Sequence, residues 1–370
     1  MQLTRLRVFN YRNFNEEEVQ LPPGVSLFQG RNGQGKTNLL EAVYLLGYGK
    51  SFRTSTPKDC IRHGETECLV EGQVQAGSLT RELRVSVSLA GKRLLLHGKE
   101  VAIDEFVGNL HVLAFTSQHL NIVRGMPADR RAFLDRAMVT LYPSHVKHLA
   151  SYGRALKQRN RVLAAARERN CGLDERFLAS WEELLVQEGA RVTANRQKYV
   201  ERMKTELPAG LFGSENLKIK YISKIAPEVS ETEEIADRFR RKLEEGRSLD
   251  LSLGFTCVGP HRDELKLFVA GKALADFGSA GQQRSALISL YFAQMEIHRK
   301  MHGFYPLFLV DDVEAELDDR RLTTFLSYLA QRTQTLLTTA KESLVPMMPG
   351  DLYRFEVDAG TIRSAKDPGR

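Results

Sequence analysis

Residues 30–37 read Gly30-Arg31-Asn32-Gly33-Gln34-Gly35-Lys36-Thr37 and match the pattern G-x-x-x-x-G-K-[ST] at every fixed position. A short alternating run, Val25-Ser26-Leu27-Phe28, precedes them, and an amphipathic helical pattern follows. In this strand–loop–helix context, consecutive backbone N–H groups and a helix N-terminus cradle an anion. We therefore predict that all eight residues bind a nucleoside triphosphate, with Lys36 at the β- and γ-phosphates and the Thr37 hydroxyl on Mg²⁺. The loop alone does not distinguish ATP from GTP.

The overall composition is that of a soluble globular protein large enough for two domains. The chain has 370 residues, of which 42% are hydrophobic and 27% are charged. Its formal net charge is +7 at pH 7, which fits an anionic partner and fits plain solubility equally well.

The cysteines and the apolar runs predict a cytoplasmic protein. No C-x-x-C pair occurs among the four cysteines, which argues against a zinc site and against a disulfide framework. They are Cys60, Cys68, Cys171 and Cys257. The first residues lack the apolar region of a signal peptide, and the longest apolar run, 304–310, contains Pro306 and is too short to span a bilayer. We expect reduced thiols and no membrane association.

Strand-like and helical patterns alternate at both ends of the chain, whereas the middle is nearly all helical. The strict alternation at 83–89 predicts a half-buried antiparallel strand beside the nucleotide site. The continuous apolar run 307–310 predicts a central parallel strand. We therefore predict an α/β fold in which a discontinuous head, 1–115 and 255–370, carries an inserted helical arm domain, 116–254.

The second half of the predicted nucleotide site begins where the apolar strand ends, at Asp311-Asp312. In P-loop proteins the first carboxylate holds the Mg²⁺ water shell, and its neighbour orients or deprotonates the attacking water. One helix earlier, the turn Ser279-Ala280-Gly281-Gln282-Gln283 begins a helix with small residues, which is another anion-binding N-terminus.

This order of motifs resembles the ATP-binding-cassette (ABC) ATPases. In that superfamily the signature turn faces the γ-phosphate held by a second subunit. The resemblance implies that Ser279, Gly281 and Gln282 of one copy complete the nucleotide site of another copy in an ATP-dependent homodimer. It also implies that the fold is an ABC-type ATPase head with a flanking antiparallel β subdomain.

Several further blocks, in one order along nearly the whole chain, resemble the RecF family of bacterial recombination mediators. These blocks are Asn10-Tyr11-Arg12-Asn13-Phe14, 30–38, Lys50-Ser51-Phe52-Arg53, 125–135, Gln158-Arg159-Asn160, Gly259-Pro260-His261-Arg262-Asp263, 279–284 and 311–318. The resemblance implies ATP and Mg²⁺ as cofactors, a weak DNA-stimulated ATPase, and binding to duplex DNA near single-strand gaps. It further implies work with RecR and RecO that promotes RecA loading during replication restart and the SOS response.

The sequence departs from the family pattern after Phe115, where Thr116-Ser117-Gln118-His119-Leu120 stands in place of Pro-Glu-Asp-Leu. Other cassette ATPases sense Mg²⁺ through a glutamine in the corresponding loop. Gln118 is therefore either a catalytic residue of that kind or part of a surface loop that has drifted. Asp312 stands where most cassette ATPases have glutamate, and because its side chain is one methylene shorter, we predict slow hydrolysis.

A cationic stripe in the helical region is the candidate DNA-binding surface. Residues 124–206 contain 17 Lys and Arg against 10 Asp and Glu. Four of these cations share one helical face, opposite an apolar face: Lys147, Arg154, Lys157 and Arg161. Such a stripe either contacts phosphates or is a solvated helix face, and the family resemblance favours phosphates. Arg159 projects to the apolar side, where we expect a structural ion pair.

Two other classes of ATPase fit the sequence less well. A chromosome-organising relative of the SMC type needs coiled-coil arms of hundreds of residues, whereas the longest predicted helix, 144–170, spans roughly 40 Å. A transporter subunit needs a Leu-Ser-Gly-Gly-Gln signature and a switch histidine, whereas Thr338-Thr339 occupies the histidine's place here. The resemblance to the RecF family favours an ATPase of DNA repair.

Overall fold

A computed structural model describes residues 1–169, 175–209, 216–228, 231–312, 317–341 and 352–364. Packing divides the chain into two compact units, the first comprising Met1–Leu120 with Met295–Arg370 and the second Asn121–Gln294. The second unit extends past residue 254, the predicted end of the insertion, because the strand Glu264–Val269 pairs with Leu217–Ile222 of that insertion. The head and insertion boundaries themselves stay predictions. Cys171 and positions 313–316 lie outside the described residues.

The described strands form three sheets. The strands are β1 (Gln2–Tyr11), β2 (Phe14–Gln20), β3 (Val25–Gln29), β4 (Glu67–Ala76), β5 (Leu79–Ser88), β6 (Gly91–Leu96), β7 (Lys99–Glu100), β8 (Val112–Phe115), β9 (Leu217–Ile222), β10 (Glu264–Val269), β11 (Lys272–Ala273), β12 (Leu307–Asp311), β13 (Thr335–Thr339), β14 (Leu352–Asp358) and β15 (Thr361–Ser364). Their orders are β2-β1-β4-β5-β6-β7, β11-β10-β9 and β15-β14-β3-β13-β12-β8.

The described helices are concentrated between residues 121 and 302. They are α1 (Lys36–Tyr48), α2 (Ile103–Phe106), α3 (Asn121–Arg124), α4 (Pro127–Leu141), α5 (His145–Arg169), α6 (Glu175–Glu206), α7 (Thr232–Glu245), α8 (Arg247–Leu253), α9 (Leu274–Phe277), α10 (Ala280–His302) and α11 (Asp319–Ala330). At 32 residues, α6 is longer than α5, so the prediction that residues 144–170 form the longest helix is wrong. In the part of the chain that is described, no helix combines the length and apolarity needed to cross a membrane.

Two predicted strands of the first unit are confirmed. In β5, Leu83, Val85 and Val87 are buried and alternate with more exposed residues, as a half-buried antiparallel strand requires. In the central sheet, β12 lies between β13 and β8, pairs in parallel with both, and has four buried apolar residues in succession. Since β3, β13, β12 and β8 are all parallel, their carboxyl ends meet at one edge of the sheet.

Helix α1 is buried along most of its length because its apolar residues lie on all sides. Its glycine at position 47 allows close packing, since a Cβ there would lie 2.7 Å from the Val112 side chain of β8. Likewise, a Cβ at Gly72 of β4 would lie 2.6 Å from Leu46 of α1. The helix therefore packs against a strand of each sheet in its unit, and its N-terminus is fixed at the edge where the parallel strands end.

Arg159 of α5 forms the structural ion pair expected from the sequence, which confirms that prediction. Its side chain is fully buried, and its Nη1 donates to Asp250 Oδ2 at 2.6 Å and to Thr256 Oγ1 at 2.8 Å. Its Nε donates to Glu182 Oε1 at 3.0 Å. A planar guanidinium donates in several directions at once, which explains why arginine stands at this buried position.

Replacing Arg159 with lysine keeps the charge but removes most of these hydrogen bonds. We expect the Arg159→Lys chain to lose about 1–3 kcal/mol of stability, because Asp250 stays buried with fewer donors. Urea unfolding followed by circular dichroism measures the change. The matched control is Arg154→Lys on the same helix, where the side chain is exposed. Equal midpoints for the two variants would show that the Arg159 network does not stabilise the fold.

Candidate nucleotide-binding site

The glycine-rich loop joins the carboxyl end of β3 to the N-terminus of α1, and its glycines are required by its geometry. A Cβ at Gly30 would lie 2.2 Å from the carbonyl oxygen of Val357. Gly33 and Gly35 have φ values of +82° and +115°, which residues with a Cβ atom rarely adopt. The sequence-based assignment of a tight loop before a helix is therefore what the structure shows.

Residues distant in sequence hold the loop in place. Asn13 Nδ2 donates to the Gln34 carbonyl at 2.8 Å, and Asn38 Nδ2 donates to Asn13 Oδ1 at 2.8 Å. The backbone N–H of Ala359 donates to Gln34 Oε1 at 2.6 Å. These contacts fix the loop without any ligand. Asn13 stands in one of the sequence blocks that resemble the RecF family, but its role was not apparent from the sequence.

Lys36 lies at the start of α1 with its side chain only 3% exposed. Its Nζ donates to the carbonyl oxygens of Gly30 and Arg31, at 2.8 and 3.0 Å. The ammonium group is thus held inside the curve of the loop, beside the positive end of the α1 dipole. A polyanion in the loop would meet this ammonium and the first N–H groups of α1 together.

Thr37 and Asp311, which are 274 positions apart, meet as the motifs predicted. Thr37 Oγ1 donates to Asp311 Oδ1 at 2.9 Å, and Thr338 Oγ1 donates to the same oxygen at 2.7 Å. Burial raises the pKa of Asp311, while the hydrogen bonds from Thr338 and Thr37 act in the opposite direction. Thr338 was noted in the sequence for the histidine it replaces, not as a hydrogen-bond donor to Asp311.

Asp312 follows β12 in the left-handed conformation, with φ of +45°, and its N–H donates to Thr338 Oγ1 at 3.2 Å. It lines a depression of about 330 Å³ in the first unit. The other lining residues are Asn32, Gly33, Gly35, Lys36, Thr37, Asn38 and Arg53. The cations and the helix N-terminus suit phosphates, and the oxygens of Thr37 and Asp311 are the hard donors that Mg²⁺ prefers. The residues present therefore fit a Mg²⁺–nucleotide complex.

Arg53 is a member of this site that the sequence did not reveal as one. Its Nη1 donates to Asn38 Oδ1, and its positive charge acts to lower the pKa of Asp311. Behind it, the fully buried Glu41 of α1 is paired with Arg12, with Oε1 and Nη2 2.6 Å apart. Both arginines stand in the sequence blocks quoted above, but these blocks do not show which acids the arginines meet.

Gln118 is not among the residues that line the depression. It is exposed, in the short 3₁₀ segment Ser117–Leu120 that follows β8. The segment begins at the same edge of the sheet as Asp311, since β8 neighbours β12. Its assignment as a Mg²⁺ sensor stays a prediction.

The Ser279 turn lies in the second unit, where it begins α10. Ser279 is exposed, and its N–H donates to Gln282 Oε1 at 2.8 Å, while the Gln282 N–H donates to Ser279 Oγ at 3.2 Å. This reciprocal pair is a capping box, which explains why the helix begins here. With the partly exposed Gly281, the turn presents small groups at a helix N-terminus. Nucleotide binding by these residues stays a prediction.

The cationic stripe also has the orientation predicted for α5. Lys147, Arg154, Lys157 and Arg161 are all exposed, whereas Tyr152, Ala155 and Leu163 are buried on the other side of the helix. His261 is partly buried, and its Nδ1 lies 2.5 Å from the Tyr152 hydroxyl. Arg130 donates from Nε and Nη2 to the two carboxylate oxygens of Glu264, at 2.7 and 3.0 Å.

The fold and the site together define the class: a P-loop ATPase head of the ABC and SMC type. Three features carry this assignment: the loop between a parallel strand and a buried helix, the acidic end of β12, and the antiparallel sheet in the same unit. The Smc head domain of Pyrococcus furiosus has the same fold, with a TM-score of 0.56 at 15% identity over 98% of this chain and 95% of that one. The predicted fold class is confirmed.

Within that class, the chain belongs to the RecF family. The family model described as RecF/RecN/SMC N terminal domain matches residues 2–362. The DNA replication and repair protein RecF of Geobacillus kaustophilus is 37% identical over 92% of both chains. That of Lactococcus lactis subsp. lactis is 32% identical over 98% of this chain and 99% of the relative. The solved recombination mediator protein RecF–ATPrS of the RecFOR pathway superimposes with a TM-score of 0.90, at 30% identity over 98% of each chain.

Proposed function

We propose that this chain is an ATP-dependent DNA clamp of recombinational repair, which closes as a homodimer on duplex DNA beside single-strand gaps. The observation that carries the proposal is the complete phosphate loop of a RecF-family chain, in which Thr37 already contacts Asp311. A solved RecF–ATP structure, with a TM-score of 0.88 to this chain, supports ATP as the nucleotide.

On binding ATP, Lys36 would exchange its two loop carbonyl partners for phosphate oxygens, a charge-assisted bond that is stronger than the neutral ones it replaces. The N–H groups of residues 30–37 would hold the remaining oxygens. Thr37 and Asp311 would hold Mg²⁺, which neutralises charge on the β- and γ-phosphates when bound. Arg53, at the rim of the same depression, supplies a second cation.

For hydrolysis we assign Asp312 to the attacking water, because it lines the depression and its N–H is fixed by Thr338. The aspartate reaches less far than a glutamate would. Hydrolysis is therefore slow, and the long-lived ATP-bound state is the one that stays closed on DNA. Gln118 is given no step, since it stands outside the depression.

The closed state needs a second copy, whose Ser279, Gly281 and Gln282 would approach the γ-phosphate. Support comes from the exposure of this turn: Ser279 is exposed, and the neighbouring Phe277 is 72% exposed. A large apolar side chain beside a helix N-terminus is what a partner surface would cover. In the proposed dimer there are two nucleotide sites, and each chain contributes the phosphate loop of one and the Ser279 turn of the other.

The cations of α5 would contact the phosphates of duplex DNA without reading bases. Partnership with RecR and RecO, and through them RecA loading, rests on family membership and on the RecFOR pathway named for the solved relative. Action on the chromosome in turn implies a cytoplasmic location and roles in replication restart and the SOS response.

Neutralising the α5 stripe should weaken DNA binding and its salt dependence together. For the variant in which Lys147, Arg154, Lys157 and Arg161 are all alanine, we expect at least about tenfold weaker binding to gapped duplex. The slope of log K against log salt should fall in magnitude by about 3–4, since each phosphate contact contributes about 0.9. Fluorescence anisotropy at several salt concentrations, with ATP and Mg²⁺ present, measures both.

The control removes four other exposed cations of the same unit, so that the change in net charge is identical. These are Lys198, Lys204, Arg241 and Lys242. This variant should keep the salt slope of the parent chain. Equal salt slopes for the two quadruple variants would show that the DNA does not bind at the α5 cations.

Sedimentation velocity tests the proposed function as a whole. Without nucleotide we expect a monomer, and with a non-hydrolysable ATP analogue and Mg²⁺ a dimer that also sediments with gapped DNA. A chain that binds gapped DNA equally well as a monomer without nucleotide would contradict the clamp.

A further inference from the structure

Three histidines come together in the first unit, away from the residues that line the nucleotide depression. His111 immediately precedes β8, and His298 and His302 lie one turn apart near the end of α10. One ring nitrogen from each lies within 4.8 Å of the others. Their spacing on α10 places both helix histidines on the same face. Neither nucleotide binding nor DNA binding, as proposed above, uses this cluster.

The hydrogen bonds of the cluster orient two of the rings. His298 Nδ1 lies 2.9 Å from the carbonyl oxygen of Phe304, which can only accept a hydrogen bond, so Nδ1 carries the proton. In the neutral ring, His298 Nε2 therefore presents a lone pair, and His111 Nδ1 lies 2.6 Å from it. A histidine whose other nitrogen donates to a backbone carbonyl is fixed in the manner typical of metal ligands.

The third ring leaves a polar atom without a partner. His302 Nε2 is buried and makes no hydrogen bond to any described residue. A buried nitrogen without a partner is rare and destabilising in a native protein, so its position calls for a ligand. His302 is also the most exposed ring of the three, which leaves a route from solvent.

Burial disfavours the charged form of all three imidazoles. Burial lowers the pKa of His111 to about 3 and that of His298 to about 4. The charges that His298 and His302 would carry also lower the pKa of His111. Burial also lowers the pKa of His302.

We propose that His111, His298 and His302 bind a divalent transition-metal ion, with Zn²⁺ as the expected occupant. Three imidazoles suit Zn²⁺ and exclude Mg²⁺, which prefers oxygen. With Zn–N bonds of about 2.0–2.1 Å, the nitrogens of tetrahedral ligands lie about 3.3 Å apart. On binding, the closest pair of ring nitrogens would therefore move slightly apart, and the most distant pair would approach each other by about 1.5 Å. Water takes the fourth position, and the ion joins the last turn of α10 to the start of β8.

This site revises the sequence-based argument against zinc. That argument considered only the spacing of cysteines, and three of the four, Cys60, Cys68 and Cys257, are indeed free thiols in the structure. His111 and His298 are 187 positions apart along the chain, so no local motif contains the whole cluster. Only His298 and His302, four positions apart on α10, are close to each other in sequence.

The test is a Zn²⁺ titration of the full chain in competition with a chromogenic chelator. Any bound metal is first removed with a chelator, which is then removed by dialysis. Excess Mg²⁺ keeps Zn²⁺ from Thr37 and Asp311. We expect about one equivalent bound, with affinity at least tenfold weaker in His302→Ala. Thermal unfolding should show a Zn²⁺-dependent rise in Tm that the variant lacks. The control is His63→Ala, an exposed histidine outside the cluster, which should bind as the parent chain does.

Co²⁺ provides a second readout that does not depend on stability. The Co²⁺-loaded parent chain should show the visible absorption of tetrahedral nitrogen coordination, and His111→Gln and His302→Ala should each lose it. ATP-analogue binding by these variants verifies that the first unit is folded. The proposal is overturned if the parent chain binds no Zn²⁺ under these conditions. It is equally overturned if both cluster variants match His63→Ala in affinity and spectrum.

Discussion

The Lys36→Arg chain should bind ATP but hydrolyse it roughly a hundred- to a thousandfold more slowly, the loss typical when one preorganised charge is removed from a transition state. Lys36 is 3% exposed, and its Nζ fits between the carbonyl oxygens of Gly30 and Arg31. A planar guanidinium is wider and cannot act as a point charge on the γ-phosphate. The loop N–H groups remain, and because they are held by Asn13, ATP binding survives.

Single-turnover hydrolysis and equilibrium binding of a fluorescent ATP analogue separate the two effects. Lys58→Arg is the matched control, since this lysine of the same unit is exposed and does not line the depression. It should hydrolyse ATP at the parent rate. ATP hydrolysis by Lys36→Arg at the parent rate would show that this lysine has no role in hydrolysis.

The parts of the site that sequence predicted are those built from neighbouring residues or from the ends of parallel strands. The loop of residues 30–37 is contiguous, so its glycine spacing is itself the geometric requirement. The meeting of Thr37 with Asp311 is not local, yet it follows from two strand ends that share one sheet edge. Periodicity also placed Arg159 on the buried face of its helix.

The sequence could not predict which residue pairs with each buried charged or polar side chain. The face of Arg159 was predictable, but Asp250 and Glu182 lie 91 and 23 positions away. The same holds for Arg12 with Glu41, and for the histidine cluster, because tertiary pairing carries no periodic signal. Helix length was also misjudged, since α6 has 32 residues and α5 has 25.

Ser279→Arg should leave the ATP affinity of a single chain unchanged but weaken ATP-dependent dimerisation by roughly a hundredfold or more, the cost of a buried steric and charge mismatch at an interface. Ser279 is exposed at the N-terminus of α10, where a small side chain allows another surface to approach closely. Arginine fills that space. It also removes the Ser279 half of the capping box, which costs the helix about 0.5–2 kcal/mol and leaves the unit folded.

Sedimentation equilibrium at saturating ATP analogue gives the dimer dissociation constant, and urea unfolding checks the fold. Ser252→Arg is the control, because it makes the same substitution at an exposed serine of the same unit, on α8. It should dimerise as the parent chain does. Because the proposed site is completed by Ser279 of the second copy, hydrolysis in Ser279→Arg should fall with dimerisation rather than with ATP binding. A Ser279→Arg dimer that persists at saturating nucleotide would contradict a site completed by the second copy, and the ATPase would then be that of one chain alone.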